Sequence, residues 1–83
     1  MPEEFVQRVV RCIAATQHID AAKISLDSSF EELGIDSLDG INILFALENE
    51  FEVNIPDDAA KQVRSVRELA EGLERLVAAS ASS

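Results

Sequence analysis

The sequence predicts an all-α fold: a small four-helix bundle of three longer helices and one short one, with a long loop between helices one and two. Three observations carry that expectation. Apolar residues recur at three- and four-residue spacing in three separate segments, the period of a helix with a buried face. The one alternating run, Phe51-Glu52-Val53-Asn54-Ile55, would be a lone strand with nothing to pair with, so it reads as an extended connector. Eighty-three residues, 47% of them apolar, allow one domain and one small core.

The first helix spans residues 3–17, where Phe5, Val6, Val9, Val10 and Ile13 keep the helical period. Glu3 and Glu4 fall in its first turn, where the helix dipole favours negative charge, and Pro2 suits such a start. Residues 18–35 keep no sustained period. Ile24, Leu26, Phe30, Leu33 and Ile35 are separated by Asp27, Ser28, Ser29 and Gly34, so this is a long loop pinned to the core, with a short turn near Ser29–Leu33. Ordered loops of that length are often functional. The second helix runs from Ser37 to Phe51, with Asp36 as N-cap and Asp39 as its capping-box partner. It carries two apolar stripes: Ile43, Leu47 and Phe51 on one, Leu38, Ile41, Leu44 and Phe45 on the other. Such a helix is either deeply buried or gives one stripe to a partner. Pro56 ends the connector, and Asp57–Val63 form the short third helix, capped by Asp57 or its neighbour. Ser65 and Glu68 make a capping box for the fourth helix, whose buried face is Val66, Leu69, Ala70, Leu73, Leu76 and Val77. From Ala78 the chain is expected to fray. Residues 1–83 thus read as a single domain with 78–83 as its loose end.

Charge narrows the function. The net charge is −9, and no Lys or Arg occurs between Lys23 and Lys61, a stretch that holds ten Asp and Glu. That surface repels nucleic acid and anionic membrane and attracts basic protein patches. The bland explanation, that acids keep a small protein soluble, leaves the segregation of the bases unexplained. Cys12 is the only cysteine, which rules out an internal disulfide and a cysteine-based zinc site and fits a reducing compartment. It sits beside Ile13 in the first helix and reads as half-buried and inert. No apolar run approaches the roughly 20 residues of a membrane span. The Glu and Arg among residues 1–15 do not suit a secretory signal. A cytoplasmic monomer is the expectation.

Ser37 opens the second helix between Asp36 and Leu38, with its side chain expected in solvent. It is either an ordinary helix-start serine or a place where something is attached. A catalytic serine needs a base within hydrogen-bond reach; His18 is the only histidine, in a polar loop start, and no oxyanion motif is present. An independent enzyme is therefore not expected. Acids around a glycine suggest calcium, but setting Gly40 at position six of a calcium hand puts Ile35 at one and Ala46 at twelve, so the register fails. What remains there is at most a non-specific divalent ion at Asp36 and Asp39.

Leu33-Gly34-Ile35-Asp36-Ser37-Leu38 strongly resembles the attachment motif of acyl carrier proteins, Leu-Gly-x-Asp-Ser-Leu. Asp27-Ser28-Ser29-Phe30 is similar to the family's upstream loop. Ala46-Leu47-Glu48, Glu50-Phe51 and Ile55-Pro56-Asp57 resemble the end of its second helix and the segment after it, and residues 65–77 fall where its last helix lies. The spacings match over nearly the whole chain. Glycine before Asp-Ser-Leu looks more like fatty-acid or polyketide carriers than peptide-synthetase carriers.

The resemblance implies that a phosphopantetheinyl transferase, with magnesium, moves 4′-phosphopantetheine from coenzyme A to Ser37, and that acyl groups then ride on its thiol as thioesters. Asp36, Leu38 and Gly34 would frame that site. A phosphodiester at a helix start sits near the positive dipole end and free backbone N–H groups, flanking Asp36 and Asp39 would keep it off the surface, and Gly34 permits the sharp turn and denies bulk beside the arm. Acyl-loading and acyl-processing enzymes with basic patches would dock on Asp39, Ile41, Leu44, Phe45 and Glu48. The acyl chain would lie against Ile43, Leu47, Phe51 and Ile55, which plain core packing explains equally well. The chain departs from the family pattern at three kinds of position. Asn42 and Asn49 stand where acids are common, Phe45 where a mid-sized apolar residue is usual, and Gly40 lies within the helix at a cost of about 1 kcal/mol relative to Ala. These departures point to a specialised carrier serving a dedicated pathway. The rival from another class is an unmodified acidic helical module that binds basic partners through the second helix; it leaves the Asp-Ser-Leu turn unexplained.

Overall fold

The computed structural model describes residues 2–81; Met1, Ser82 and Ser83 lie outside it, as do the side chains of Asp57, Ala59, Ala60, Ser80 and Ala81. Four helices occur in chain order: α1 (Glu3–Gln17), α2 (Ser37–Phe51), α3 (Asp57–Gln62) and α4 (Val66–Ala81). They fold into a body of 36 × 26 × 19 Å.

Each helix begins and ends for a local reason. α2 is capped by a complete capping box: the Asp36 carboxylate accepts the Asp39 N–H at 2.9 Å, and the Asp39 carboxylate accepts the Asp36 N–H at 3.4 Å. A cap of this kind stabilises a helix by about 1 kcal/mol. α1 and α2 both close on a residue in the left-handed region, His18 (φ 56°) and Glu52 (φ 55°), whose N–H groups return to Ala14 and Glu48. At α4 the Ser65 hydroxyl accepts the Glu68 N–H at 3.2 Å, as expected. The reciprocal half differs, because the Glu68 carboxylate takes the Ser65 hydroxyl at 3.5 Å rather than its backbone N–H. α3 stops at Gln62, one residue short of expectation, and Val63 packs against the core instead. The cap expected at Asp57 falls on a side chain outside the described ones. α4 keeps helical backbone to Ala81, so the loose end expected from Ala78 is helix as far as the chain is described.

The long loop is more structured than its sequence period suggests. It holds a 3-10 turn at Ala21–Lys23, opened by the Asp20 carboxylate accepting the Ala22 N–H. The turn expected near Ser29–Leu33 is present, with Leu33, Gly34 and Ile35 N–H groups bonded back to Ser29, Glu31 and Phe30. Between them the loop runs alongside the start of α4. Arg67 donates to the Leu26 carbonyl, Val66 to the Ser28 carbonyl, and Phe30 to the Arg64 carbonyl, all at 3.0–3.1 Å, and Arg67 pairs with Asp27 at 2.8 Å. The extended stretch therefore spends its backbone groups on the opening of α4 rather than leaving them open.

The core is Val9 and Ile13 of α1, Ile24 and Ile35 of the loop, Ile43 and Leu47 of α2, and Val66, Leu69, Ala70 and Leu73 of α4. No described polar side chain is buried with them. At one end of the α1–α2 seam Phe5 and Phe51 pack with ring centroids 5.1 Å apart. Arg8 lies 4.3 Å over the Phe51 ring and pairs with Glu50 at 3.1 Å.

Candidate functional site

Gly34, at φ +73°, turns the loop sharply, so that Ile35 drops into the core while Asp36 faces out to cap α2. Ser37 is thereby the first residue of the helix. It is exposed, and no protein group among the described residues takes its hydroxyl. The N–H groups of Ser37 and Leu38 lie in the first turn, where helical partners do not exist, and the dipole there is positive. A phosphate ester on the Ser37 oxygen fits this position: the oxygen is reachable, unengaged and next to anion-favouring backbone.

Ser37 stands on the lip of an open groove of about 1020 Å³. Its apolar floor is Phe30 and Ile35 of the loop, Ile43 and Leu44 of α2, Ile55 of the connector and Leu69 of α4. Gly40, one turn along from Ser37, also borders it, and an added Cβ there would meet nothing within 4 Å. Lys61, Val63 and Arg64, at the end of α3 and in the link to α4, also line it.

The structure redistributes the expected site residues. Ile43 and Ile55 line the groove, but Leu47 and Phe51 do not. Leu47 is wholly buried and has no surface left to offer. Phe51 lies two helical turns beyond Ile43, about 12 Å along the axis, where Phe5 and Arg8 of α1 cover it. Conversely Ile41, Leu44, Phe45 and Glu48, expected on a separate partner face, also border the groove. Leu44 turns inward against the core, whereas Leu38, Ile41 and Phe45 are 72%, 47% and 61% exposed and form one apolar ridge. Glu48 is half-buried and its carboxylate accepts the Ile55 N–H at 3.0 Å, so it ties the connector to α2 rather than standing free. Asp39 is likewise engaged, in the cap. His18 closes α1 and Cys12 is half-buried against the core. Among the described residues no three or more His, Cys, Asp or Glu gather as a metal site, and no helix is long and apolar enough to cross a membrane.

Phe30, Lys61, Arg64 and Leu69 were not foreseen at the site. They come from four separate segments, and no period or motif within any one of them marks a shared groove.

The chain is a small four-helix bundle with an apolar groove and an exposed serine at the start of α2 beside it. Comparison with known proteins identifies the class. The family model described as "Phosphopantetheine attachment site" matches residues 7–73. An acyl carrier protein of Phaeodactylum tricornutum is 48% identical over 58 residues, which cover 69% of this chain and 76% of that protein. One from Treponema denticola is 39% identical over 67 residues, covering 80% and 86%. The crystal structure of an acyl carrier protein from Thermotoga maritima superposes with a TM-score of 0.83 over 93% of this chain and 91% of that one, at 23% identity, a likeness of fold. The solution structure of the 3,5-dioxohexyl carrier of the actinorhodin polyketide synthase of Streptomyces coelicolor superposes with a TM-score of 0.76 over 89% and 91%, at 31% identity. The chain belongs to the acyl carrier protein family. Its function is that of an acyl carrier, with a covalently attached 4′-phosphopantetheine as the working group.

Proposed function

We propose that Ser37 bears the phosphopantetheine, with Gly34, Asp36 and Leu38 shaping its seat. The observation that carries this reading is the exposed, unengaged Ser37 hydroxyl at the first turn of α2, on the lip of the groove. When bound, the group supplies a terminal thiol on which acyl chains are held as thioesters. The residues of this chain do the rest. The Asp36–Asp39 box fixes the first turn of α2, the groove floor receives apolar cargo, and the ridge of Leu38, Ile41 and Phe45 meets the enzymes that load, process and unload it. The acids of residues 24–60 draw basic docking patches at long range.

The chain itself acts as a carrier, and the chemistry of loading and processing belongs to its partner enzymes, as membership of the acyl carrier protein family supports. We place it in the cytoplasm as a monomer. Its pathway is fatty-acid, polyketide or related specialised lipid biosynthesis. Asn42, Asn49, Gly40 and Phe45 favour a dedicated pathway over general service, because they alter the charge, width and bulk of the face that partners read.

Intact-protein mass before and after incubation with coenzyme A, magnesium and a broad-specificity phosphopantetheinyl transferase tests the assignment. The wild type gains one phosphopantetheine and Ser37→Ala gains none. A folded wild type that gains nothing beside a working control, and again with the transferase from its own source, would leave the unmodified acidic interaction module in the lead.

A further inference from the structure

The groove has a chemical character that simple apolar cargo does not use. Its wall at the end of α3 and in the link to α4 carries two exposed cations, Lys61 and Arg64. Neither forms an ion pair among the described residues, whose two salt bridges use Arg8 and Arg67. Glu31, Asp36 and Glu48 also line the groove, but among the described residues none of them pairs with Lys61 or Arg64; Asp36 accepts the Asp39 N–H and Glu48 the Ile55 N–H. A few placed polar groups beside an apolar cavity are what fix orientation and specificity in a binding site. On the wall formed by Lys61 and Arg64 those groups are cationic, and their natural complement is a carboxylate, which Arg grips with a planar fork and Lys meets as a movable point charge.

We infer that the groove selects acyl chains that end in a carboxylate, the methylenes lying on the apolar floor and the distal carboxylate meeting Lys61 and Arg64. This rests on attachment at Ser37. The other anion on a loaded protein is the phosphodiester of the arm, and the experiment separates the two.

The apo protein is loaded by the transferase with coenzyme A, with octanoyl- and dodecanoyl-coenzyme A, and with the ω-carboxy analogues of both. Each product is verified by intact mass and then melted. At one or both chain lengths the ω-carboxyacyl form is expected to melt about 4 °C above its plain acyl counterpart. The gap shrinks as salt is raised and closes in the Lys61→Gln/Arg64→Gln double variant. Both residues are exposed, so the apo variant keeps nearly the wild-type Tm. Plain acyl forms as stable as the ω-carboxy forms at both lengths would overturn the inference. So would a double variant that lowers the Tm of the unacylated, phosphopantetheine-bearing protein as much as that of the ω-carboxyacyl protein, which would assign the cations to the phosphodiester. Absence of any mass gain at Ser37 is a different failure: it removes the attachment reading and this inference with it.

Discussion

At the scale of single residues, Ser37 and Cys12 show opposite environments for two nucleophilic side chains. The Ser37 hydroxyl is exposed and has no protein partner among the described residues. Ser37→Ala should therefore leave stability within about 0.5 kcal/mol while abolishing modification, and paired thermal melts and masses check both halves. Cys12 is held off from solvent. Burial pushes its thiol above the ordinary value of 9.0, the negative charge of Glu50 adds to that, and a hydrogen bond from Thr16 opposes it. The thiolate is the reactive form, so alkylation of Cys12 near neutral pH should be much slower in the folded protein than in denaturant. On the loaded carrier a thiol reagent then reports the arm. The pH dependence has a fixed sign. The folded thiol keeps its proton to higher pH than the unfolded one, so stability is unaffected below about pH 8 and falls as pH rises through the thiol range. Cys12→Ala should remove that part of the alkaline loss in denaturation midpoints measured across pH.

At the scale of elements, two glycines separate backbone from space. Gly34 and Gly40 both have open room around an added Cβ. Gly34 lies at φ +73° in the turn before α2, where an L side chain is strained, whereas Gly40 lies in regular helix. Gly34→Ala should destabilise by about 1 kcal/mol and Gly40→Ala should stabilise by about 1 kcal/mol. Equal signs in thermal melts of the two variants would contradict this account. The glycine in α2 thus costs stability and keeps the groove wall low one turn from Ser37. The caps of α2 and α4 were legible because both partners lie within three residues of each other. The pairing of the loop with α4 was not, since its hydrogen bonds depend on a segment some 40 positions away; the 3-10 turn at Ala21–Lys23 is closed by bonds within three residues but is too short to leave a helical period.

At the scale of the whole molecule, the two stripes of α2 differ in burial: Ile43 and Leu47 lie in the core, whereas Leu38, Ile41 and Phe45 are exposed. Leu47 is wholly buried in the core, and Leu47→Ala should cost about 3 kcal/mol, a large share of what a domain this small possesses. Phe45 is 61% exposed on the ridge beside the groove. Phe45→Ala should leave the melting curve nearly unchanged and raise the KM of the transferase for this carrier about tenfold, the loss expected of an aromatic anchor. The sequence alone determined the longer helices, the capping box of α2, the apolar faces and the Asp-Ser-Leu turn, because each rests on contacts between residues at most a few positions apart. It could not say which apolar residues of α2 meet the groove, since a helical period gives direction around an axis but not what covers each point along it. Only the tertiary structure sent Phe51 to α1, committed Glu48 to Ile55, and brought Phe30, Lys61, Arg64 and Leu69 to one groove. Those outcomes arise where separate elements pack together, and such packing leaves no periodic trace in either partner.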